Sequence, residues 1–167
     1  MRIFIPISDK INKKNYSVVT STIVEQAYVD PETTEIFFPL PENSTELKWK
    51  PLAKEYCKKF MLDTGEEFTV INDYEFKNLN NNNYNDMKNF LENNKEYGAV
   101  SLYAPTAPPP KYSHICAGII MFRRAALETA RFDLWPTHSS CMSVMESLYK
   151  NGWKYWYLES IPRCVKL

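Results

Sequence analysis

The sequence has no segment suited to a membrane or to export. Among its 167 residues, no apolar run approaches the roughly 18 residues that cross a bilayer. The amino end, MRIFIPISDK, passes from a short apolar stretch into polar residues and lacks the apolar core of a signal peptide. We therefore expect a soluble, cytoplasmic protein without a transmembrane segment.

Cysteine and histidine are also scarce, with four and two copies. The cysteines form no CxxC pair, and their wide spacing favours buried thiols in a reducing compartment over a disulfide framework. The stretches HIC and HSSC offer one alternative, a zinc-stabilised interaction domain. Neither has the spacing of a common zinc module, so buried cysteine is the stronger interpretation. The zinc set would comprise His114, Cys116, His138 and Cys141.

A net charge is absent as well, because 20 basic and 20 acidic residues cancel. The protein as a whole then has no net positive charge that would attract nucleic acid or an anionic membrane, although the sequence still allows a local basic patch. A hydrophobic fraction of 44% is typical of a globular protein with a packed core. The length fits a single domain spanning residues 1–167.

Short apolar runs alternate with helical patterns along the chain. The runs predict strands at RIFIPI, EIFFPL, EEFTVIND, GAVSLYA, HICAGIIMF and WKYWYL. Apolar spacings of three and four predict helices at NYSVVTSTIVEQAYV, STELKWKPLAKEYCKKFML, DMKNFLENN, RRAALETARF and SSCMSVMESLYKNG. The alternation predicts an α/β fold whose sheet has parallel character.

Four features set expected boundaries within this pattern. Pro51 belongs in the first turn of its helix, and Gly152 is expected to end the last helix. The asparagine run NLNNNNYND is interpreted as a surface loop, and PTAPPPKYS as an extended connection.

The predicted strand EEFTVIND ends at an acidic residue, Asp73, and a second one, Glu75, follows two positions later. In open α/β sheets, ligands bind beyond the carboxyl ends of the strands. Residues two apart in an extended turn project to the same side, so these carboxylates can converge on Mg²⁺ or Mn²⁺. Such a cation would neutralise a leaving diphosphate. The simpler alternative is that the acidic residues end a strand and solvate a loop.

The order of these segments resembles a compact glycosyltransferase of the GT-A fold, nearest to family 2-like enzymes. The resemblance rests on RIFIPIS, EIFFPL, KPLAKEYCKKFMLDTGEEFTVINDYEF, GAVSLYA, CAGIIMFRRAALE and YKNGWKYWYL. It implies a single-domain, Rossmann-like GT-A fold with a mixed, mostly parallel sheet flanked by helices. It also implies a metal-dependent, hexosyltransferase-like enzyme that uses Mn²⁺ or Mg²⁺. The substrates would be a nucleotide-sugar donor and a hydroxyl acceptor on a glycan, protein or nucleic acid.

The resemblance assigns donor and metal roles to individual residues. The loop after the first strand corresponds to the first nucleotide-binding loop, so Pro6 and Ser8 would contact the nucleotide and Asp9 its base or ribose. Asp73 and Glu75 correspond to the metal-binding D-x-D loop, with glutamate in place of the second aspartate. The extra methylene of glutamate would shift the metal position.

Four further residues carry weaker assignments. Asn72 would bind a sugar hydroxyl or simply cap the turn. Arg123 and Arg124 would face phosphate or an anionic acceptor, although arginines at a helix start are common on surfaces. Gly118 indicates either a close approach of the ligand or tight packing.

The chain departs from the family at the catalytic base. Inverting family 2-like enzymes carry an acidic pair where this sequence has Ser140 and Cys141. Asp133 and His138 are the candidate bases nearby, and His138 is also a candidate metal ligand. Trp135 is a candidate stacking surface for a sugar or base. A retaining enzyme would need no such base.

Two other function classes remain open from the sequence. A non-catalytic nucleotide-sugar-binding or interaction domain would have kept the fold and lost the base. A nucleotidyltransferase would normally carry a glycine-rich phosphate loop near the amino end, and PISDKINKKN contains no glycine.

Overall fold

The computed structural model describes eight stretches of the chain: residues 2–6, 34–37, 49–72, 76–80, 82–102, 118–132, 140–158 and 164–166. The predicted helix NYSVVTSTIVEQAYV and the connection PTAPPPKYS lie outside these residues. Within the described stretches, no helix combines the length and the apolar character needed to span a membrane.

Eight strands occur in the described residues. They are β1 (Arg2–Pro6), β2 (Thr34–Phe37), β3 (Phe68–Asn72), β4 (Phe76–Asn78), β5 (Tyr97–Leu102), β6 (Ile119–Arg123), β7 (Lys154–Leu158) and β8 (Cys164–Lys166). Six of them form one sheet in the order β2-β1-β3-β6-β5-β7, and β4 pairs with β8 in a second, small sheet. The six strands that the sequence predicted all lie in the larger sheet.

The larger sheet is mixed and mostly parallel. Strand β1 pairs in parallel with β2 and β3, and β5 pairs in parallel with β7. Only β6 runs against its neighbours, since it is antiparallel to both β3 and β5. The predicted α/β fold with a mostly parallel sheet is confirmed.

Four helices flank the sheet in the described residues: α1 (Trp49–Asp63), α2 (Asn82–Asn93), α3 (Arg124–Thr129) and α4 (Ser140–Lys150). Helix α1 begins at Trp49, so Pro51 lies in its first turn as predicted. Gly152 has φ 78°, the left-handed conformation of a helix-ending glycine, also as predicted. Helix α3 is shorter than the predicted RRAALETARF, because Ala130 is already extended.

The asparagine run was wrongly interpreted as a loop, since α2 begins inside it at Asn82. Asn80 Oδ1 accepts the Asn82 N–H at 2.9 Å, and Asn78 Oδ1 accepts the Asn83 side-chain amide at 2.7 Å. The Asn80 oxygen thus satisfies a backbone donor that a helix start leaves unpaired, and the Asn78 oxygen adds a side-chain contact to the first turn. Buried side chains then recur at helical spacing, at Tyr84, Met87 and Leu91.

The sheet separates two layers of the core. Helix α2 packs on one face together with Phe68 and Val70 of β3, while Ile71 belongs to the other face with side chains of α1, α3 and α4. All five residues of β3 are buried. Strand β3 is therefore a central strand, and its alternation places Asn72 on the α2 face.

Strands β4 and β8 were not predicted, because each has three residues and neither forms an apolar run. They pair antiparallel, with Phe76 opposite Lys166. Since only three residues separate the end of β3 from the start of β4, residues 73–75 connect the large sheet to the small one.

Candidate functional site

Three strands end at one edge of the large sheet. Because β2, β1 and β3 are parallel neighbours, their carboxyl ends at Phe37, Pro6 and Asn72 lie side by side. We call this the carboxyl edge. The structure thus brings together two residues predicted to contact the donor, Pro6 and Asn72. An edge of this kind is where open α/β sheets bind ligands.

The other residues predicted for this edge follow the ends of β1 and β3 directly in the sequence. They lie outside the described residues, and their roles stay predictions. These residues are Ser8, Asp9, Asp73 and Glu75.

Asn72 is the last residue of β3 and is completely buried. Neither its side-chain nitrogen nor its side-chain oxygen has a hydrogen-bond partner among the described residues. Leaving a buried polar group unpaired costs about 1–3 kcal/mol. Proteins seldom carry such a group without a reason, and one recurrent reason is a functional site.

Both ends of the acidic turn, residues 73–75, are held by two consecutive residues of the neighbouring chain segment. Asn72, which precedes the turn, is paired with Ile119 in the β3–β6 register. Phe76, which follows the turn, is buried against Gly118, where an added Cβ would lie 2.5 Å from the ring Cγ. For Gly118, tight packing is therefore the correct alternative. The span that the turn must bridge is fixed at both ends.

Arg123 lies at the opposite end of β3, paired with Phe68. Arg123 is 8% exposed, and its guanidinium carbon lies 5.3 Å from the centre of the Phe68 ring. It donates to Glu67 Oε1 at 3.0 Å, to the Tyr97 carbonyl at 3.4 Å, and to the Leu91 carbonyl in the last turn of α2. These contacts tie the end of α2 to the sheet.

Arg124 ties the end of α1, the helix on the other face of the sheet, to the sheet in a similar way. Its Nη1 donates to the Leu62 carbonyl at 2.7 Å, in the last turn of α1, and its backbone N–H donates to the Glu67 carbonyl at 2.8 Å. The last carbonyls of a helix lack partners within the helix and carry partial negative charge. The arginine pair therefore closes the ends of two helices.

The structure does not bring the arginine pair to the carboxyl edge. Four residue steps of about 3.3 Å separate the two ends of β3, so Arg123 and Asn72 lie roughly 13 Å apart. Contact between these arginines and a ligand stays a prediction. At this end of the strand, their observed contacts are with the protein itself.

A cavity of about 350 Å³ also lies at the end of β3 near Arg123. It is lined by Glu66, Glu67, Phe68, Lys88 and Glu92. Each of its three carboxylates lies in an ion pair, Glu66 with Arg2 at 3.5 Å, Glu67 with Arg123 at 3.0 Å and Glu92 with Lys88 at 3.7 Å. The basic groups around the cavity thus already have carboxylate partners, which makes the cavity a weaker candidate for an anionic donor than the carboxyl edge.

The chain between α3 and α4 is fixed from two sides just before the segment predicted to hold the base. The Phe132 N–H donates to Glu55 Oε2 of α1 at 2.8 Å, and the Arg131 N–H donates to Ser147 Oγ of α4 at 2.8 Å. Sequence reasoning missed Glu55 and Ser147, because such pairings across the fold leave no local pattern. The next residues, 133–139, lie outside the described part of the chain.

That segment contains Asp133, Trp135 and His138, so their predicted roles in catalysis, stacking and metal binding stay predictions. Helix α4 begins at Ser140 and has no acidic residue in its first turn. The position that the sequence analysis compared with the acidic pair of inverting family 2-like enzymes is thus a helix start without a carboxylate.

The zinc alternative finds no support in the part of the chain that the structure describes, where no three potential metal ligands cluster. His114, Cys116 and His138 lie outside that part. Cys57 and Cys164 are buried and form no disulfide. Burial raises the pKa of Cys57 to about 12, so this thiol stays protonated and unreactive at neutral pH.

No protein-family profile matches the sequence. No curated protein matches it either. Comparison with solved structures does find similar folds. A glycosyltransferase involved in glycosylation of the major capsid of PBCV-1 superposes with a TM-score of 0.66 at 12% identity, over 100% of this chain and 93% of that one.

Two further structures are informative. The catalytic domain of Drosophila β1,4-galactosyltransferase 7, in complex with xylobiose, has a TM-score of 0.66 at 13% identity, over 96% of this chain and 65% of that one. A mutant of the same enzyme, with a TM-score of 0.60, is in complex with manganese, UDP-Gal and xylobiose. A protein described as a glucose-1-phosphate thymidylyltransferase from Bacillus anthracis has a TM-score of 0.52 at 11% identity, over 95% and 87%.

At these identities the similarity concerns the fold. The mixed sheet and its flanking helices match glycosyltransferase structures along essentially the whole chain, and the expected GT-A-like fold is confirmed. The weaker match to a thymidylyltransferase means that the fold alone does not choose between the two transfer reactions.

Proposed function

We propose that the chain is a glycosyltransferase that moves a sugar from a nucleoside-diphosphate sugar to an acceptor hydroxyl with the help of Mn²⁺ or Mg²⁺. The observation that carries the proposal is the match over the full chain to a glycosyltransferase of nearly the same length. The proposal draws further support from Asn72, a buried unpaired amide next to the acidic turn at the carboxyl edge.

The cation would be held by Asp73 and Glu75, with His138 as a further candidate ligand. One observation fits this assignment, since the residues on both sides of the turn, Asn72 and Phe76, are fixed. Carboxylate oxygens are also the ligands that these hard cations prefer. When bound, the cation would neutralise charge on the leaving diphosphate. Manganese together with UDP-Gal in the Drosophila enzyme is consistent with this chemistry on this fold.

The remaining roles are those that the resemblance to GT-A glycosyltransferases implies. Pro6 with Ser8 would contact the nucleotide, Asp9 its base or ribose, and Trp135 would stack on a sugar or base. In an inverting reaction, Asp133 or His138 would take the proton from the acceptor hydroxyl. The closer family 2-like relationship, the single-domain organisation and the cytoplasmic location stay predictions.

Calorimetric titration of a panel of nucleotide sugars, with and without Mn²⁺, tests the proposal. We expect one donor to bind the wild type only with metal, and the Asp73→Ala, Glu75→Ala double variant to lose this binding. The matched control is Asp63→Ala, Glu92→Ala, which removes the same charge from exposed positions. No binding at millimolar donor, or equal binding by the acidic-turn variant, would refute the proposal.

A second candidate is a nucleotide-sugar-binding domain without catalytic activity. It is favoured by one observation, the absence of an acidic residue in the first turn of α4. It predicts the same metal-dependent donor binding but no transfer to any acceptor and no slow donor hydrolysis. Release of nucleoside diphosphate, measured over hours at high enzyme concentration, separates the two candidates.

A nucleotidyltransferase is the enzyme alternative that the thymidylyltransferase similarity keeps open. Such an enzyme would transfer the nucleoside monophosphate group of a nucleoside triphosphate to a sugar phosphate, which forms a nucleoside-diphosphate sugar and releases pyrophosphate. Incubation with such substrate pairs and assay for pyrophosphate gives a direct answer, because a glycosyltransferase releases nucleoside diphosphate instead.

A further inference from the structure

One edge of the large sheet carries an exposed aromatic pair. Strand β7 is last in the strand order and pairs with β5 alone among the described strands. Trp156 in this strand is 38% exposed. Its ring stacks on that of Tyr157, with the ring centres 5.6 Å apart and the ring planes 25° apart. The pair therefore combines an ordered ring stack with surface that solvent reaches.

The stack requires both rings to lie over the outer edge of β7. Consecutive residues of a strand point to opposite faces of the sheet. Trp156 is paired with Val100, a core residue of the α2 face, so Tyr157 leaves the strand toward the other face. Side chains that leave in opposite directions can stack only by bending around one edge of the strand. Strand β5 occupies the inner edge, so the rings meet over the outer one.

A charged pair lies on the same face as Trp156. Lys154 is two residues earlier and therefore faces the same side of the sheet, and its Nζ lies 3.7 Å from Glu96 Oε1. Both side chains are more than half exposed. The ammonium group also lies 5.7 Å from the centre of the Tyr97 ring. Because an exposed ion pair contributes little to stability, its oxygen and nitrogen atoms can also bind hydroxyl groups of a ligand.

This combination of groups suits a carbohydrate. A sugar ring presents C–H groups on its faces and hydroxyl groups around its rim. The C–H groups pack on a flat aromatic ring, and the hydroxyl groups hydrogen-bond with carboxylate and ammonium groups. Because the Tyr157 ring already holds the indole of Trp156 in place, little conformational freedom is lost on binding.

The aromatic pair lies toward the same edge of the sheet as the proposed donor site. Strand β6 is antiparallel to both β3 and β5, so β5 and its parallel neighbour β7 run in the direction of β3. Their carboxyl ends thus point to the carboxyl edge. Three strand spacings separate β7 from β3, which places Trp156 roughly 14 Å to the side of β3. An oligosaccharide can span this distance, whereas a single sugar cannot.

We propose that Trp156, Tyr157, Glu96 and Lys154 form a binding site for the glycan part of the acceptor, and we call these four residues the β7 platform. The proposal narrows the acceptor from any hydroxyl compound to an oligosaccharide, and its role in transfer rests on the proposed function. Sugar binding by the β7 platform is independent of that function, because none of the four residues belongs to the proposed donor or cation site.

The experiment is a titration of ¹⁵N-labelled protein with xylotetraose, cellotetraose, chitotetraose and maltotetraose. Backbone amide shifts give the affinity and the location of binding together. We expect at least one of these sugars to shift the amides of β7 in a saturable way. In Trp156→Ala its Kd should rise about tenfold, which corresponds to about 1.4 kcal/mol, and Trp156→Phe should lie between this variant and the wild type because it keeps a ring face.

Tyr149→Ala is the matched control, because it removes an aromatic ring that is 79% exposed on α4. It should leave the sugar affinity unchanged. The inference is overturned if no sugar of the panel shifts the β7 amides at tens of millimolar, or if Trp156→Ala and Tyr149→Ala change the affinity equally. It is also overturned if Trp156→Ala binds sugar normally but converts a dimer to a monomer in light scattering, since the rings would then form an interface between two copies of the chain.

Failure of this inference is distinguishable from failure of the proposed function. If a nucleotide-sugar donor binds with Mn²⁺ and no oligosaccharide binds the β7 platform, only the acceptor assignment is wrong. If an oligosaccharide binds the β7 platform and no donor binds, the platform stands as a sugar-binding site and the proposed transfer reaction is wrong. Melting temperatures of all variants verify that a loss of binding does not reflect unfolding.

Discussion

The two ends of β3 are built in opposite ways. At the amino end, Arg123 donates to Glu67, Tyr97 and Leu91, and its guanidinium lies over Phe68. At the carboxyl end, the buried amide of Asn72 has no partner among the described residues. Arg123 holds the fold together at the amino end, whereas the buried Asn72 amide makes no hydrogen bond with the described residues that would stabilise the carboxyl end. The carboxyl end is therefore the better candidate for the ligand-binding end of the strand.

The comparison also shows why residue type alone misleads. An arginine pair at a helix start and an asparagine at a strand end both fit an anionic, hydroxylated ligand. Only the partners separate them, because Arg123 and Arg124 are engaged by the ends of α2 and α1.

Removing the Arg123 side chain should destabilise the contacts at the amino end of β3 without affecting the carboxyl end. Arg123→Ala loses three hydrogen bonds and leaves the Leu91 carbonyl without its charged partner. We expect the free energy of unfolding to fall by about 3 kcal/mol, the scale of hydrogen bonds to a charged group. Donor and Mn²⁺ affinities should not change at temperatures where the variant is folded. Denaturant titration measures the change in stability, and calorimetry measures the affinities for donor and Mn²⁺. A selective loss of donor affinity would place Arg123 in the donor site.

Filling the space at Gly118 should disturb the carboxyl end. In Gly118→Ala the new methyl group would meet the Phe76 ring, so we expect a loss of about 2 kcal/mol from overpacking, together with weaker Mn²⁺ binding. The matched control is Gly98→Ala, whose methyl group would collide with Ala126 and Trp153 away from the turn. It should lose stability without a change in Mn²⁺ affinity. Equal effects of both variants on binding would contradict a specific role for the Gly118 contact.

Arg124 should matter less than Arg123. It is more exposed, its contact with Glu128 spans 3.7 Å, and one hydrogen bond at 2.7 Å joins it to α1. We expect Arg124→Ala to reduce the free energy of unfolding by about 1 kcal/mol. A loss as large as that of Arg123→Ala in the same denaturant titration would show that the two caps are equivalent.

Titration of the Cys57 thiol has the smallest expected effect on stability at neutral pH. In contrast to the Asn72 amide, this buried group is uncharged and carries little cost of burial. Its pKa is raised by burial from 9.0 to about 12, so the folded state holds the thiol proton more tightly than the unfolded state does. The resulting stability is fully present below pH 9 and is lost as the pH rises toward 12. Over that window, stability should fall less steeply in Cys57→Ala than in the wild type, by up to about 1.4 kcal/mol per pH unit. Identical pH profiles would contradict the burial.

The sheet could be predicted from the sequence because its strands are short apolar runs separated by helical spacings. The acidic turn could be identified because it follows β3 immediately. The asparagine run could not be assigned, since capping residues and flexible loops have the same composition until Tyr84, Met87 and Leu91 are seen to be buried. The role of the arginine pair was also hidden, because the carbonyls they cap lie 32 and 62 residues away in the chain.

Paramagnetic broadening by Mn²⁺ tests the contrast between the two ends most directly. Manganese would be titrated into ¹⁵N-labelled protein with a nucleotide-sugar donor, and the loss of backbone amide signals followed residue by residue. The account predicts that the amides of Asn72 and Ile119 broaden first, while those of Phe68 and Arg123, roughly 13 Å away along the strand, persist to higher metal. Broadening that begins at Phe68 and Arg123 would contradict it and move the cation to the amino end.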